Sequence, residues 1–247
     1  MNIHFIYRSA PGSSKKETRP SYFDKVSCLK SFLKAVDYVD SEMRGDLIFL
    51  NDGELDSAIM GIMKSSKSEL IQLGGIGNSS SLRAAHELAR TRNWDPSDII
   101  YFAEDDYMYK EEAFTFLLGA ASAIKEGHYF TLYDHPDRYT RSDDVNNGYS
   151  KIYVSPDCHW RTVESTCQTY GVRIKSFKKD QWIHKLGTSL NTPRGREMFR
   201  AVQGIGKYFW KFPKHKVISP MPSLCTHMET EFLAKNVDWE ATSNKHM

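Results

Sequence analysis

Cysteine is scarce in this chain. Cys28, Cys158, Cys167 and Cys225 are scattered, with no Cys-x-x-Cys spacing. That excludes a zinc knuckle and a disulfide framework and leaves buried free thiols as the expectation. Net charge is small as well: 33 Lys and Arg against 31 Asp and Glu leave +2, too little to argue for nucleic acid as a partner. No apolar run approaches the ~20 residues that cross a bilayer. The first eight residues are too short for a signal peptide and read as a strand. Repeats and low-complexity tracts are lacking too. These absences point to a cytoplasmic globular protein without a transmembrane segment. With 247 residues and no visible linker, we expect one domain over 1–247. Its nucleotide-binding half would cover about residues 1–125 and its acceptor-binding half about 126–240.

The first half alternates strand and helix signals. Strands are expected at 3–7, 47–50, 70–73 and 99–103. Between them Val26, Leu29, Leu33 and Val36 mark one helical face, and Leu82, Ala85, Leu88 and Ala89 another. Ala113, Phe116, Leu117, Ala120 and Ile124 line a helix over 110–124. This order implies an α/β fold, a mostly parallel sheet flanked by helices. The second half reads as smaller and mixed. Strands are expected at 129–133, 151–154 and 160–166, a long polar loop at 134–148 and a helix start at Thr192-Pro193. A closing loop over 221–231 contains His227, and 243–247 reads as a frayed tail.

The densest chemistry lies in Asp98-Ile-Ile-Tyr-Phe-Ala-Glu-Asp-Asp-Tyr107. An apolar strand ends there in three carboxylates, at the strand end where open α/β sheets bind ligands. Adjacent carboxylates repel. A hard divalent cation would relieve them, and such a cation commonly completes its shell with substrate phosphates. The competing reading is plain capping of the helix over 110–124 by Asp105 or Asp106. The glycine-rich Gly74-Gly75-Ile-Gly77-Asn78 follows the third expected strand and opens a helix, a pattern suited to phosphate. A methyl-donor or dinucleotide loop would follow the first strand, with an acid about 20 residues on, so a nucleotide sugar is preferred. Arg83 lies one turn into that helix, either meeting a diphosphate or facing solvent. Tyr7, Arg8 and Ser9 leave the first strand where a base and ribose would sit, or are an ordinary strand exit.

Four separated pieces carry a resemblance: Arg19-Pro-Ser-Tyr-Phe-Asp-Lys25, Leu47-Ile-Phe-Leu-Asn-Asp-Gly53, Tyr101-Phe-Ala-Glu-Asp-Asp-Tyr107 and Pro222-Ser-Leu-Cys-Thr-His227. Together they resemble the GT-A class of nucleotide-sugar-dependent glycosyltransferases, and more narrowly a group of bacterial and viral members. The likeness spans residues 3–240. It implies transfer of a sugar from a nucleoside-diphosphate sugar, UDP-sugar favoured, to a glycan or lipid-linked acceptor, with Mn²⁺ or Mg²⁺. Glu104 and Asp106 would be the outer members of a D-x-D-like motif. Asp106 would be a metal ligand, Glu104 would reach the ribose or the metal, Asp105 would border the donor, and His227 would complete the metal shell. Asp52 would accept from the uracil imide, or else serve the Asn-Asp-Gly turn. Asp134 and Asp137 would lie in the acceptor loop, and Asp180 would be a general base or a simple helix cap. Trp182, Trp210 and Trp239 would stack on sugars or fill the core. The basic, aromatic stretch 207–216 would touch an anionic membrane surface or nucleic acid, or pack as an amphipathic segment with a basic rim. The alternatives are a sugar nucleotidyltransferase, for which 10–16 is a partial loop match, and a non-catalytic nucleotide- or sugar-binding module.

Overall fold

We describe residues 1–12, 16–140, 150–188, 195–205 and 215–246 of a computed structural model of the chain. Four parallel strands form one half of its sheet: β1 (Ile3–Ser9), β2 (Arg44–Asp52), β3 (Glu69–Leu73) and β4 (Ile99–Glu104). Helices α1 (Lys25–Tyr38), α2 (Ser57–Ser65) and α3 (Asn78–Thr91) cross between them. β1 is buried along its whole length and β4 as far as Ala103. Strands covered on both faces read as unbroken apolar runs, which is why these two stood out.

The chain continues through β5 (Tyr107–Tyr109), α4 (Ala113–Ala123), β6 (Gly127–Phe130) and α5 (Asp137–Thr140). Then come β7 (Ile152–Val154), β8 (His159–Val163), β9 (Tyr170–Arg173), α6 (Ile174–Lys179), α7 (Gln181–Gly187) and α8 (Gly195–Val202). β10 (Lys216–Met221), β11 (Cys225–His227) and α9 (Trp239–Asn244) close it. Nine strands share one sheet in the order β3-β2-β1-β4-β9-β6-β10-β8-β7. β9 runs antiparallel to both of its neighbours, β4 and β6, and β10 is parallel to β6. The fold is α/β with a large, mostly parallel central sheet flanked by helices.

Strand alternation divides the core in two. Phe5 and Tyr7 face α1 and α4, where Phe32 packs edge-on against Phe5 and Phe114 at 5.8 and 5.6 Å. Ile6 faces the other way, with Phe102, Tyr170, Phe177 and Phe199. Arg8 shares the parity of Ile6 and so emerges on the α3 side.

Several expectations need correction. The buried face of α1 is Cys28, Leu29, Phe32, Ala35 and Val36, with Val26 and Leu33 half-buried. The segment 110–124 becomes helical only at Ala113, because β5 precedes it; Asp105 and Asp106 therefore cap nothing. The strand expected at 129–133 ends at Phe130. Within the expected closing loop, β11 takes up Cys225–His227 and β10 ends on its first residue, Met221. The C-terminal tail is not frayed at its start: Ser243 is fully buried in α9 and its Oγ donates to the Tyr22 carbonyl at 3.3 Å. Trp239 fills the core and donates to the Ala234 carbonyl, while Trp182 is exposed. All four cysteines are free, Cys28 and Cys225 buried, Cys158 and Cys167 half-buried. Thr192, Pro193, Trp210 and most of 207–216 lie outside the described residues. Among the described residues no helix is long and apolar enough to cross a membrane.

Candidate functional site

The parallel strands end together at a small cleft of about 200 Å³. Arg8, Ser9, Asp52, Gly77, Asn78, Glu104, Asp105 and Asp106 all line it. Eight of the residues singled out from the sequence therefore converge, and the reason is register. Arg8 of β1 lies opposite Glu104 of β4, and its Nη2 donates to Glu104 Oε1 at 2.5 Å. Nη1 donates to the carbonyl and Oδ1 of Asn78 and to Ser81 Oγ, at 3.0, 2.8 and 2.8 Å. One guanidinium thus ties the acidic strand end to the first turn of α3. Asp52, at the end of β2, accepts from the backbone N–H groups of Ile76 and Gly77 at 2.7 and 2.8 Å. It holds the glycine loop rather than standing free for a base. Gly77, with φ +87°, occupies a conformation that side chains resist, and it delivers the chain into α3 facing the cleft, an anion-favouring helix start.

His227 arrives by a separate ladder. β11 pairs antiparallel with β5, placing His227 opposite Tyr107, and the Met228 N–H donates to the Asp106 carbonyl at 2.9 Å. His227 Nε2 then lies 3.0 Å from Asp106 Oδ2. Burial alone would raise the Asp106 pKa. The hydrogen bond and charge of His227, and then Arg19, outweigh it and hold this carboxyl well below its ordinary range. Burial works against the charged imidazole in turn, but Asp106 wins and the His227 pKa rises. Glu104 and Asp105 behave oppositely: burial lifts both pKa values despite Arg8 and Lys25 beside them. Asp106 is therefore the carboxylate most firmly ionised.

Two cations were not foreseen as partners. Arg19 Nη2 donates to Asp106 Oδ2 at 2.8 Å while Nη1 holds the Met228 carbonyl at 2.7 Å. Lys25 Nζ donates to Asp105 Oδ2 and to the Ala10 carbonyl, both at 2.8 Å. Each carboxylate of the triplet has a basic partner from the protein. Arg19 and Lys25 bracket one of the four motif pieces, which was the available signal. Ser81, which accepts from Arg8, and Thr169, whose Oγ1 donates to Glu104 Oε2 at 3.5 Å, were missed outright.

Other candidates lie elsewhere. Tyr7 is buried in the core against Phe32 and Phe49. Gly75, with φ +71°, shapes the turn but is not part of the cleft wall. Arg83 points away from the cleft and donates to the Thr188 carbonyl at 2.7 Å. Asp180 is fully buried, accepting from Tyr129 Oη at 2.8 Å and paired with His215 at 3.0 Å; it cannot reach a substrate. Asp134 is engaged by Arg161 at 2.6 Å and by Tyr139. Asp137 lines a second cavity of about 430 Å³, which shares Asn78 and Glu104 with the first and also includes His227.

No protein-family model matches the chain, and no curated protein matches it in sequence. Solved structures do match. TarS from S. aureus aligns with 81% of the chain at TM-score 0.50 and 11% identity. The fold is GT-A-like. CMP:2-keto-3-deoxy-manno-octonic acid synthetase, complexed with CTP, aligns over 89% of both chains at TM-score 0.49 and 13% identity. Glucosyl-3-phosphoglycerate synthase from Mycobacterium tuberculosis, in complex with Mn²⁺, UDP-glucose and phosphoglyceric acid, aligns with 71% of the chain at TM-score 0.42 and 11% identity. The chain spans 57% of that synthase and 33% of TarS.

Proposed function

We propose that this protein transfers a sugar from a nucleoside-diphosphate sugar, a UDP-sugar first among them, to an acceptor hydroxyl in glycan synthesis. The observation that carries the reading is the cleft where β1, β2, β4 and α3 bring Arg8, Asp52, Asn78, Glu104 and Asp106 together, with His227 at its edge. A helix start and a guanidinium suit a diphosphate.

The donor set fits a divalent cation that arrives with its substrate. Asp106 Oδ2 and His227 Nε2 lie 3.0 Å apart and form one acid–imidazole pair. Among the described residues no group of three His, Cys, Asp or Glu side chains could hold an ion unaided. Hard cations bound by one or two protein groups fill the remaining positions with phosphate oxygen and water. Asp106 and His227 would hold Mn²⁺ or Mg²⁺, which supplies Lewis-acid neutralisation of the leaving diphosphate. Arg19 shares Asp106 Oδ2 and must yield that contact, and the His227 proton must leave, for the ion to bind. Arg8 orients the first turn of α3 toward the phosphates, and Asp52 keeps the glycine loop in place. Of Asp134, Asp137 and Asp180, only Asp137 faces the second cavity, where an acceptor would enter. It is the candidate to take the acceptor hydroxyl proton.

The test is a panel of UDP-, GDP-, dTDP- and CMP-sugars, read by the product released. Nucleoside diphosphate release, lost in Asp106→Asn with the fold intact, is the expected result. Wild-type turnover in folded Asp106→Asn overturns the assignment. Pyrophosphate release from a nucleoside triphosphate would identify a nucleotidyltransferase instead. Binding without turnover would identify a non-catalytic module.

A further inference from the structure

The second cavity carries a charge pattern that the donor does not explain. Most charged side chains around it are matched. Glu104 is paired with Arg8, Asp137 with His135 at 2.7 Å, Asp134 with Arg161, and Glu164 with Arg200 at 3.2 Å. Two guanidiniums on the wall, Arg138 and Arg196, make no ion pair with any described acid. Arg138 donates through Nη2 to the Ser165 carbonyl, which fixes its plane, and its Nε is buried without a partner among the described residues. Arg196 sits in the first turn of α8, whose start is pressed against the wall. A Cβ on Gly195 would meet Gln168 Nε2 at 2.6 Å and the Thr166 carbonyl oxygen at 3.5 Å, so the start of α8 lies close against that wall.

Burial draws part of the Arg138 guanidinium out of water, while Arg196 stays exposed at the rim, and guanidinium is the side chain best matched to phosphate oxygens. A neutral acceptor would leave Arg138 with only the longer-range pull of Asp134 and Asp137, and Arg196 with solvent. A carboxylate would balance one. A phosphate monoester, at roughly −2 near neutrality, balances both. We propose that the acceptor carries a phosphate group and that Arg138 and Arg196 hold it, leaving its hydroxyl to the wall that Asp137, Glu104 and His227 share. This rests on the transfer reading for the word acceptor; the anion site itself rests on the two arginines. The phosphate could belong to a soluble phosphorylated polyol or to a lipid phosphate.

Calorimetric titrations on the full chain, with UDP present in excess, separate these cases. The probes are glycerol 3-phosphate, geranyl phosphate and glycerol. Both phosphates, or one of them, should bind while glycerol does not, and the tighter phosphate identifies the soluble or the lipid source. Arg138→Lys and Arg196→Gln should each weaken that binding roughly tenfold or more, with UDP affinity unchanged as the control for folding. Arg196 is exposed, so its variant stays informative if Arg138→Lys unfolds. Equal binding of glycerol and glycerol 3-phosphate, no binding of either phosphate, or phosphate binding indifferent to Arg196→Gln, overturns the proposal. Arginine-dependent phosphate binding in a protein that fails to bind UDP would leave this site standing and remove the transfer reading.

Discussion

Acid should weaken this protein through a pair of buried imidazoles. His184 on α7 is 1% exposed. Burial, with Asp180 opposing and His215 reinforcing, lowers its pKa from 6.5 to about 4. Tyr129 donates its hydroxyl proton to Asp180 and so receives one from His184 Nε2, at 3.0 Å; a second proton would go to Nδ1, which is buried with no acceptor among the described residues. His86 on α3 lies 5.0 Å away, centre to centre, and burial lowers its pKa as well. Because the folded ring binds its proton less tightly than the unfolded one, its contribution is whole above about pH 6.5 and drains as pH falls toward 4. Integrating that shift, His184 alone removes about 2 kcal/mol by about pH 5 and about 3 kcal/mol by about pH 4. His86 adds in the same direction, since two imidazolium charges would then face each other. Urea midpoints at a series of pH values between 7 and 5, followed by tryptophan fluorescence, measure the loss. In His184→Gln the pH slope should flatten, even though the variant starts lower at neutral pH. Parallel slopes for the two proteins would refute the reasoning. Since α3 also carries Asn78 and Ser81, which hold Arg8, UDP affinity should fall with acid as well.

Three further outcomes can be checked directly. Chelation by EDTA should stop nucleoside-diphosphate release and Mn²⁺ should restore it; rates untouched by chelation would remove the metal from the proposal. Asp52→Ala leaves the Ile76 and Gly77 N–H groups without their acceptor and should cost about 1–3 kcal/mol in urea unfolding, with weaker UDP binding. Unchanged values on both counts would mean that the glycine loop holds itself. Asp180→Asn should lower stability by about 1–3 kcal/mol through Tyr129 and His215 while leaving the pH profile of turnover where it was. A displaced profile would restore Asp180 as a base.

The parallel half of the fold was readable because each strand there is a continuous apolar run closed by polar or glycine residues. β9 escaped notice because Tyr-Gly-Val-Arg has neither length nor alternation, and β10 because it contains Pro220. Both owe their place to neighbours distant in sequence. The misplacement of Arg83 is different in kind. The buried positions of α3 are Ser79, Ser81, Leu82, Ala85, His86 and Ala89, and a helical wheel drawn on them leaves position 83 outside that arc. Asp180 shows the reverse limit: a residue at a helix start looks like a cap or a base, and only the packing of Tyr129 and His215 reveals a buried partner. The acidic triplet holds the larger lesson. Mutual repulsion was the sequence argument for a metal, yet Arg8, Lys25 and Arg19, remote in the chain, each neutralise one member. Repulsion therefore explains nothing about a cation at this site. What still argues for one is narrower: the most firmly ionised carboxylate of the three, Asp106, set against a single imidazole by the β5–β11 ladder. Of the partners of Asp106, His227 can become a metal ligand by losing a proton, whereas Arg19 can only move away.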